Sequence, residues 1–222
     1  MVDRLPLRDA MLDALAVLFP VDCAGCGAAD RALCASCRAA LAGPMTRRRL
    51  ADGTPVVSAM RYEGVARRAI LGFKEQGRTD LARPLGTRLA EAIGAAVSGP
   101  VELAPLPPSR GSLRRRGYDP VALLLRASRL PSAAVLRRAG AGAAQKTLGR
   151  ESRRSNAAGS LVTRRDAGGR RFLLVDDVTT TGATIGEAAR VLREAGAEVI
   201  GAATVAFTPK AIGSGRDFTG IQ

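Results

Sequence analysis

The sequence predicts an α/β protein in which a parallel sheet is flanked by helices and preceded by a small four-cysteine module. Three observations predict this architecture. Apolar runs typical of strands alternate with segments of helical periodicity after residue 50. One of these runs, residues 172–175, enters a turn rich in hydroxyl and glycine residues, as happens where parallel strands bind phosphate groups. All four cysteines lie between residues 23 and 37.

The composition is that of a globular protein and excludes histidine chemistry. The chain has 222 residues, 46% of them hydrophobic and 24% charged, enough for one domain and a small appendage. It contains no histidine, which excludes Ser-His-Asp and Cys-His catalysis and Cys2His2 zinc sites. The apolar run at residues 14–19 is far shorter than the ~20 residues of a membrane span. We therefore expect no membrane span and a cytoplasmic location.

The N-terminal part of the chain is predicted to form a helix followed by the cysteine module. Apolar residues recur at helical intervals over residues 7–19, which indicates a short amphipathic helix. A Gly-Pro break and three consecutive arginines follow the cysteines. We divide the chain into an N-terminal helix and zinc-binding module at residues 1–50, a main domain at 51–208 and a flexible tail at 209–222.

The main domain alternates predicted strands with predicted helices, which is the pattern of a parallel α/β sheet. Two prolines, Pro107 and Pro108, end the second strand. A stretch rich in Ala, Gly and Arg at residues 139–159 shows no periodicity and is predicted to be a loop. The predicted strands are residues 56–62, 101–106, 171–178 and 197–207, and the predicted helices are residues 64–76, 80–97, 120–128 and 183–195.

The four cysteines have the spacing of a metal site. They form two CxxC turns separated by seven residues, and two such turns supply the four thiolates of a tetrahedral zinc site. Four protein ligands leave no open coordination position, so the metal would be structural. An iron–sulfur cluster and paired disulfides remain as alternatives. The predicted ligands are Cys23, Cys26, Cys34 and Cys37.

The turn after residues 172–175 is predicted to hold a phosphate group, because its N–H groups and the next helix N-terminus converge there. Gly182 lets the backbone approach closely, and Thr184 and Glu187 are spaced to form a capping box. Asp176 and Asp177 are placed to bind sugar hydroxyls, so the site fits a ribose 5-phosphate. Walker and dinucleotide glycine patterns are absent from the turn, and an ordinary helix cap is the alternative. The turn comprises Thr179, Thr180, Thr181, Gly182, Ala183 and Thr184.

The chain is strongly basic, and the excess charge is concentrated in one segment. The formal net charge is +14, which favours polyanionic or phosphorylated partners. Fifteen arginines and Lys146 lie between Val101 and Arg171, against four acidic residues. We interpret this segment as anion-binding. The alternative is a general preference for arginine, because the chain has only three lysines.

Residues 172–184 resemble the phosphoribosyl-pyrophosphate-binding motif of type I phosphoribosyltransferases, since an apolar strand runs into Asp-Asp-Val-Thr-Thr-Thr-Gly-Ala-Thr. Over nearly its full length the chain resembles the ComF family of competence-associated phosphoribosyltransferase-like proteins, including their zinc-binding head. One block departs: where the family usually has Arg-Gly-Phe-Asn-Gln, residues 116–120 are Arg-Gly-Tyr-Asp-Pro. Further similar residues are Tyr62, Glu63, Gly64, Lys74, Gly77, Arg78, Gln145, Leu148, Arg153 and Asn156.

The resemblance implies a type I phosphoribosyltransferase-like fold and transfer of ribose 5-phosphate from phosphoribosyl pyrophosphate, with Mg²⁺ bridging the pyrophosphate and the ribose hydroxyls. Asp176 and Asp177 would hold the ribose hydroxyls, and residues 179–184 the 5-phosphate. Residues 139–159 would form either a mobile lid or a surface loop. The acceptor, and whether the protein is an active enzyme, stay open. The loop at residues 105–116 would hold the pyrophosphate, and the candidate cations are Arg110, Arg116 and Lys146.

The alternative function is that of a non-catalytic DNA-binding accessory protein of DNA uptake in natural transformation. The basic segment favours it, because neutralising phosphates gives sequence-independent affinity. The scarcity of aromatic residues argues against it, because single-strand binders stack bases on aromatic rings and this chain has no Trp, two Tyr and five Phe. The expected partners are phosphoribosyl pyrophosphate and, in the alternative, single-stranded DNA or DNA-uptake proteins.

Overall fold

A computed structural model describes residues 21–29, 31–139, 159–164 and 166–209. The helices within these ranges are α1 (Ala35–Leu41), α2 (Gly64–Glu75), α3 (Ala82–Ala96), α4 (Arg110–Arg116), α5 (Pro120–Ala127) and α6 (Ala183–Glu194), and a 3₁₀ turn spans Thr79–Leu81. The strands are β1 (Thr46–Arg49), β2 (Pro55–Arg61), β3 (Glu102–Pro105), β4 (Leu136–Arg138), β5 (Leu161–Thr163), β6 (Arg171–Thr179) and β7 (Glu198–Phe207).

Five strands form a central sheet in the order β1-β2-β7-β6-β3. The strand β1 pairs antiparallel with β2, whereas every other pair in this sheet is parallel. The strands β4 and β5 form a separate antiparallel pair. The prediction of an α/β protein with a mainly parallel sheet is therefore confirmed. The strand order also brings β3 directly beside β6, which positions the site described below.

Both faces of the sheet are covered, which explains why its strands are apolar without alternation. Successive residues of β6 point to opposite faces. Leu173 and Val175 pack against α2, α3 and α5. Phe172 and Leu174 pack against α6 and the β4–β5 pair. All four residues are fully buried.

The elements that the sequence analysis missed are short. They are α1, β1, α4, β4 and β5, and none exceeds seven residues. Such lengths give too few positions for a periodic pattern to be recognised. The strand β1 lies before the boundary expected near residue 50, so the central sheet begins within the segment assigned to the N-terminal module.

Several expectations concern residues outside the described part of the chain. The amphipathic helix expected at residues 7–19, most of the loop at residues 139–159, the tail from residue 210 and Lys146 all lie there. Within the described ranges, no helix is both long and apolar enough to cross a membrane.

Helices α3 and α5 approach closely at Gly86, and this contact makes a stability prediction. A Cβ atom at Gly86 would lie 2.8 Å from the backbone oxygen of Leu124 and 2.5 Å from Ser128 Oγ. Because backbone atoms cannot yield as a flexible side chain does, we expect Gly86→Ala to cost about 2–3 kcal/mol of unfolding free energy. Urea denaturation measures this loss.

The matched control is Gly94→Ala in the same helix, where a Cβ meets no atom within 4 Å. Alanine there removes the conformational cost of glycine, so we expect a gain of about 0.5–1 kcal/mol. Equal shifts for the two variants would contradict the close packing of α3 on α5.

Candidate functional site

The site lies at the edge of the sheet where β3 and β6 end. Pro105, the last residue of β3, pairs with Val175, so the loop after β3 lies beside the two acids that follow Val175. A cavity of about 230 Å³ opens at this edge. It is lined by Lys74, Leu106, Pro107, Pro108, Ser109, Ser112, Arg116, Asp119, Val121, Arg138, Asp176, Asp177 and Thr184.

The acid pair, Asp176 and Asp177, is held by backbone hydrogen bonds and by one cation. The N–H of Asp177 donates to Asp176 Oδ1 at 2.8 Å, and the N–H of Val178 donates to Asp177 Oδ1 at 2.6 Å. Lys74 Nζ lies 2.9 Å from each carboxylate oxygen of Asp177. Asp177 is thus neutralised by Lys74, whereas Asp176 has no ion-pair partner among the described residues.

The position of Asp176 opposes its ionisation. Burial, with the negative charge of Asp177 as the second cause, raises the pKa of Asp176 to about 7. Burial also raises the pKa of Asp119, a third carboxyl group of the cavity, against the hydrogen bonds that it accepts from Ala122 and Val121. Asp176 can therefore change its charge near neutral pH.

The phosphate turn, residues 179–184, leads from β6 into α6. Gly182 is the N-cap residue of α6 and has a φ of +80°, a left-handed conformation that favours glycine. A Cβ at this position would also clash with Leu50. Gly182 has no side chain to cap the helix, and the N–H of Ala183 donates to Thr181 Oγ1 at 3.3 Å. The next N–H groups of the first turn point out of the helix end, where an anion can bind. Thr184 lines the cavity from the first turn.

The expected capping box of Thr184 and Glu187 is not formed. The helix begins at Ala183, one residue before the position that the box would require as an N-cap. Glu187 therefore lies too far along the helix to cap it. Its buried carboxylate instead accepts a hydrogen bond from the N–H of Gly159 at 2.7 Å and pairs with Arg190.

The three predicted cations have different positions. Arg116 lines the cavity, but its Nε donates to the Lys74 carbonyl at 2.7 Å and its Nη2 to Glu75 at 2.6 Å. Arg110 is exposed at the start of α4 and is not a lining residue. Lys146 lies outside the described residues. Arg116 thus mainly fixes the end of α2, and the roles predicted for all three stay predictions.

Three basic residues at the site were missed by the sequence analysis as ligand-binding candidates. Lys74 pairs with Asp177, and Arg138 lines the cavity with its Nε bonded to the Pro107 carbonyl. Arg48 of β1 donates to Thr179 Oγ1 at 3.0 Å, which supports the phosphate turn from the edge strand. Of these three residues, only Lys74 could have been singled out from the sequence, because lysine is rare in a chain that otherwise uses arginine.

Residues 116–120, which depart from the ComF pattern, make structural contacts of their own. The Tyr118 hydroxyl donates to the carbonyl of Phe73 near the end of α2. Asp119 caps α5 by accepting hydrogen bonds from the N–H groups of Val121 and Ala122, and Pro120 is the first residue of that helix. An acid and a proline are favourable at these two positions of a helix start.

The four cysteines come together as a compact cluster. Their sulphur atoms all lie within 4.8 Å of one another, and those of Cys26 and Cys34 are 3.7 Å apart. A tetrahedral zinc site with bonds of about 2.3 Å requires sulphur separations of about 3.8 Å. The geometry fits one ion better than an iron–sulfur cluster, which would hold the sulphurs further apart. All four cysteines are free of disulfides.

The electrostatics of the cluster also fit a cation. Burial opposes ionisation of Cys23, but N–H groups, that of Cys34 first, outweigh it and lower the pKa of the thiol to about 6. Burial and the neighbouring sulphurs raise the pKa of Cys37 to about 12. The hydrogen bond with Ser36, followed by the N–H of Cys37, lowers the pKa of Cys34 as well. Thiolates are thus favoured at Cys23 and Cys34 and opposed at Cys37, and a divalent cation would remove that opposition.

Comparison with known proteins identifies the domain type. Residues 124–216 match the family model described as a phosphoribosyl transferase domain. An orotate phosphoribosyltransferase of Pyrococcus abyssi (strain GE5 / Orsay) is 44% identical over 52 residues, which are 23% of this chain and 29% of that protein. The matched stretch therefore spans less than a third of the relative.

A solved crystal structure of an adenine phosphoribosyltransferase aligns with 78% of this chain and 90% of its own, with 16% identity and a TM-score of 0.37. Because this TM-score is low, the fold is assigned from the observed strand order and not from this alignment. The family model does not reach the cysteines, so membership of the ComF family stays a prediction. The chain is thus similar in sequence to phosphoribosyltransferases over part of its length. The segment that matches the family model includes the acid pair and the phosphate turn.

Proposed function

We propose that the protein binds phosphoribosyl pyrophosphate together with Mg²⁺ in the cavity at the end of β6 and transfers ribose 5-phosphate to an acceptor. One observation carries this proposal. The acid pair, the first turn of α6 and the loop after β3 all line the same cavity, so the sugar, phosphate and pyrophosphate of one ligand would each meet a suitable partner.

The phosphate turn is suited to the 5-phosphate. The N–H groups of the first turn of α6 beyond Ala183, and the hydroxyl of Thr184, are hydrogen-bond donors for phosphate oxygens. Asp176 and Asp177 lie in the last four residues of β6 and are acceptors for the two ribose hydroxyls. Across the cavity, the hydroxyls of Ser109 and Ser112 donate to Ser112 Oγ and to the Ser109 carbonyl, each at 2.9 Å, and would have to turn away from these partners to donate to the pyrophosphate.

The charges of the cavity suit a displacement at the ribose. Positive charge develops on the sugar as the bond to pyrophosphate breaks, and the carboxylates of Asp176 and Asp177 would stabilise it. The carboxylates and the pyrophosphate are oxygen ligands of the kind that Mg²⁺ prefers, and the ion would neutralise charge on the leaving group. Lys74 and Arg138 add positive charge at the same cavity.

The test is a calorimetric titration of the protein with phosphoribosyl pyrophosphate and Mg²⁺. We expect saturable binding, and we expect Asp176→Asn/Asp177→Asn to weaken it by at least about 100-fold, since two charge-assisted hydrogen bonds are lost. The matched control is Glu194→Gln/Glu198→Gln, which removes two exposed carboxylates away from the cavity. The control should bind as the original protein does.

Pyrophosphate release in the presence of candidate acceptors then separates an enzyme from a binding protein. Equal affinity in the two double variants would contradict the proposed site. No binding by the original protein would contradict the proposed function.

A second candidate is the nucleic-acid-binding role. It is favoured by α4, which exposes Arg110, Arg114 and Arg115 beside the cavity, none of them in an ion pair with a described residue. Such binding would weaken steeply as salt is raised, whereas an affinity independent of salt would exclude it. This measurement becomes decisive if the titration with phosphoribosyl pyrophosphate fails.

A further inference from the structure

We propose that Lys74 makes the site specific for the pyrophosphate of its ligand by exchanging partners. In the free protein Lys74 neutralises Asp177, and in the complex its ammonium group binds the pyrophosphate and leaves Asp177 to the ribose. This inference rests on the proposed function and adds a specificity-determining residue to it.

The geometry places Lys74 between the two parts of the site. Its Nζ lies 2.9 Å from both oxygens of Asp177, so the carboxylate is fully engaged. The side chains of Lys74 and Asp177 are 21% and 14% exposed, which leaves the pair accessible from the cavity but largely out of bulk water. Lys74 and the loop residues Pro107, Pro108 and Ser109 line the same cavity.

The backbone of Lys74 is held by contacts from other segments, whereas its ammonium group bonds to Asp177. Arg116 Nε donates to the Lys74 carbonyl at 2.7 Å, and the Tyr118 hydroxyl donates to the carbonyl of Phe73. The rings of Phe73 and Tyr118 also pack with centroids 5.6 Å apart. These contacts hold the last turn of α2 against the segment after α4. The four-carbon stem of the lysine keeps its rotational freedom and can move the ammonium between neighbouring anions.

The exchange links recognition of the sugar to recognition of the pyrophosphate. Asp177 cannot accept hydrogen bonds from the ribose at full strength while Lys74 occupies both of its oxygens. If the half-buried pair of Lys74 and Asp177 breaks and no other anion binds Lys74, its ammonium group is left without a counter-charge. Phosphoribosyl pyrophosphate supplies that counter-charge, whereas ribose 5-phosphate does not. The site should therefore bind the first ligand much better than the second.

Calorimetric titrations of Lys74→Gln with Mg²⁺-phosphoribosyl pyrophosphate, and separately with ribose 5-phosphate and Mg²⁺, test the exchange. We expect the affinity for phosphoribosyl pyrophosphate to fall about 10- to 100-fold, the effect of losing a hydrogen bond between charged groups. The affinity for ribose 5-phosphate should stay unchanged or increase, because Asp177 is freed. Lys74→Arg, which keeps the charge, should retain the preference for the pyrophosphate ligand.

The matched control is Arg78→Gln, which removes a positive charge four residues away, where the guanidinium pairs with Asp80 at 2.7 Å. It should leave both affinities unchanged. Equal loss for both ligands in Lys74→Gln, or no loss for either, would overturn the exchange while the proposed function stands. If the original protein binds neither ligand, the proposed function fails and the exchange fails with it.

Discussion

Stripping zinc from the four-cysteine module is expected to lower the thermal midpoint of the whole protein by more than about 10 °C. Cys23, Leu33, Cys37 and Leu41 belong to the same buried cluster as Ile70 and Phe73 of α2, so the module shares its core with the main domain. A structural zinc site supplies on the order of 10 kcal/mol of apparent binding free energy, which is comparable to the stability of a typical domain.

Metal analysis and thermal unfolding before and after chelation measure this effect. We expect about one zinc per chain. Cys26→Ser is the informative variant, because Cys26 is exposed and its replacement removes a ligand with little loss of packing. Ser36→Ala is the comparison variant, since it removes a hydroxyl 3.1 Å from Cys34 Sγ but leaves all four sulphurs in place, and we expect a smaller effect than for Cys26→Ser. A chelated protein that melts like the loaded one would contradict a structural metal, and visible absorption would indicate an iron–sulfur cluster.

The affinity for Mg²⁺-phosphoribosyl pyrophosphate is expected to fall about 50-fold between pH 7 and pH 5, with a slope that approaches about tenfold per pH unit well below pH 7. Burial, reinforced by the charge of Asp177, raises the pKa of Asp176 to about 7. Below that pH the group is a neutral acid, and a neutral acid is a weaker acceptor for ribose hydroxyls and a poorer magnesium ligand. Ligand binding favours the carboxylate, so affinity rises with pH and levels off above 7.

Titrations at several pH values measure this dependence, and Asp176→Asn separates its causes. The phosphate groups of the ligand themselves titrate near pH 6, so part of the pH dependence belongs to the ligand. The asparagine variant cannot ionise at this position and should therefore show only the pH dependence that comes from the ligand. Identical profiles for the two proteins would show that Asp176 does not titrate on binding.

Much of the fold follows from local patterns in the sequence. The segments around α2 and β6 have enough residues for a helical or strand pattern to emerge, because burying one face or both requires apolar side chains at regular intervals. The cysteine cluster was equally predictable, since each CxxC turn presents two sulphurs and the two turns lie close together in this sequence. The order of acids, hydroxyls and glycine in residues 176–184 likewise indicated a phosphate site without knowledge of the fold.

The partners of these residues were decided by the tertiary structure. Lys74 meets Asp177 across 103 residues because α2 packs on the face of the sheet to which Leu173 and Val175 point. Arg48 of the edge strand β1 meets Thr179 across 131 residues. In a chain with so many arginines, charge alone cannot say which cation faces the acids. Arg116, the residue that local sequence favoured, is used to hold α2, whereas Lys74 lies against Asp177. The sequence by itself determined which acids and hydroxyl groups make up the acid pair and the phosphate turn. Only the packing of the chain decided which cation lies against the acids, because contacts between distant residues produce no periodic pattern in the sequence.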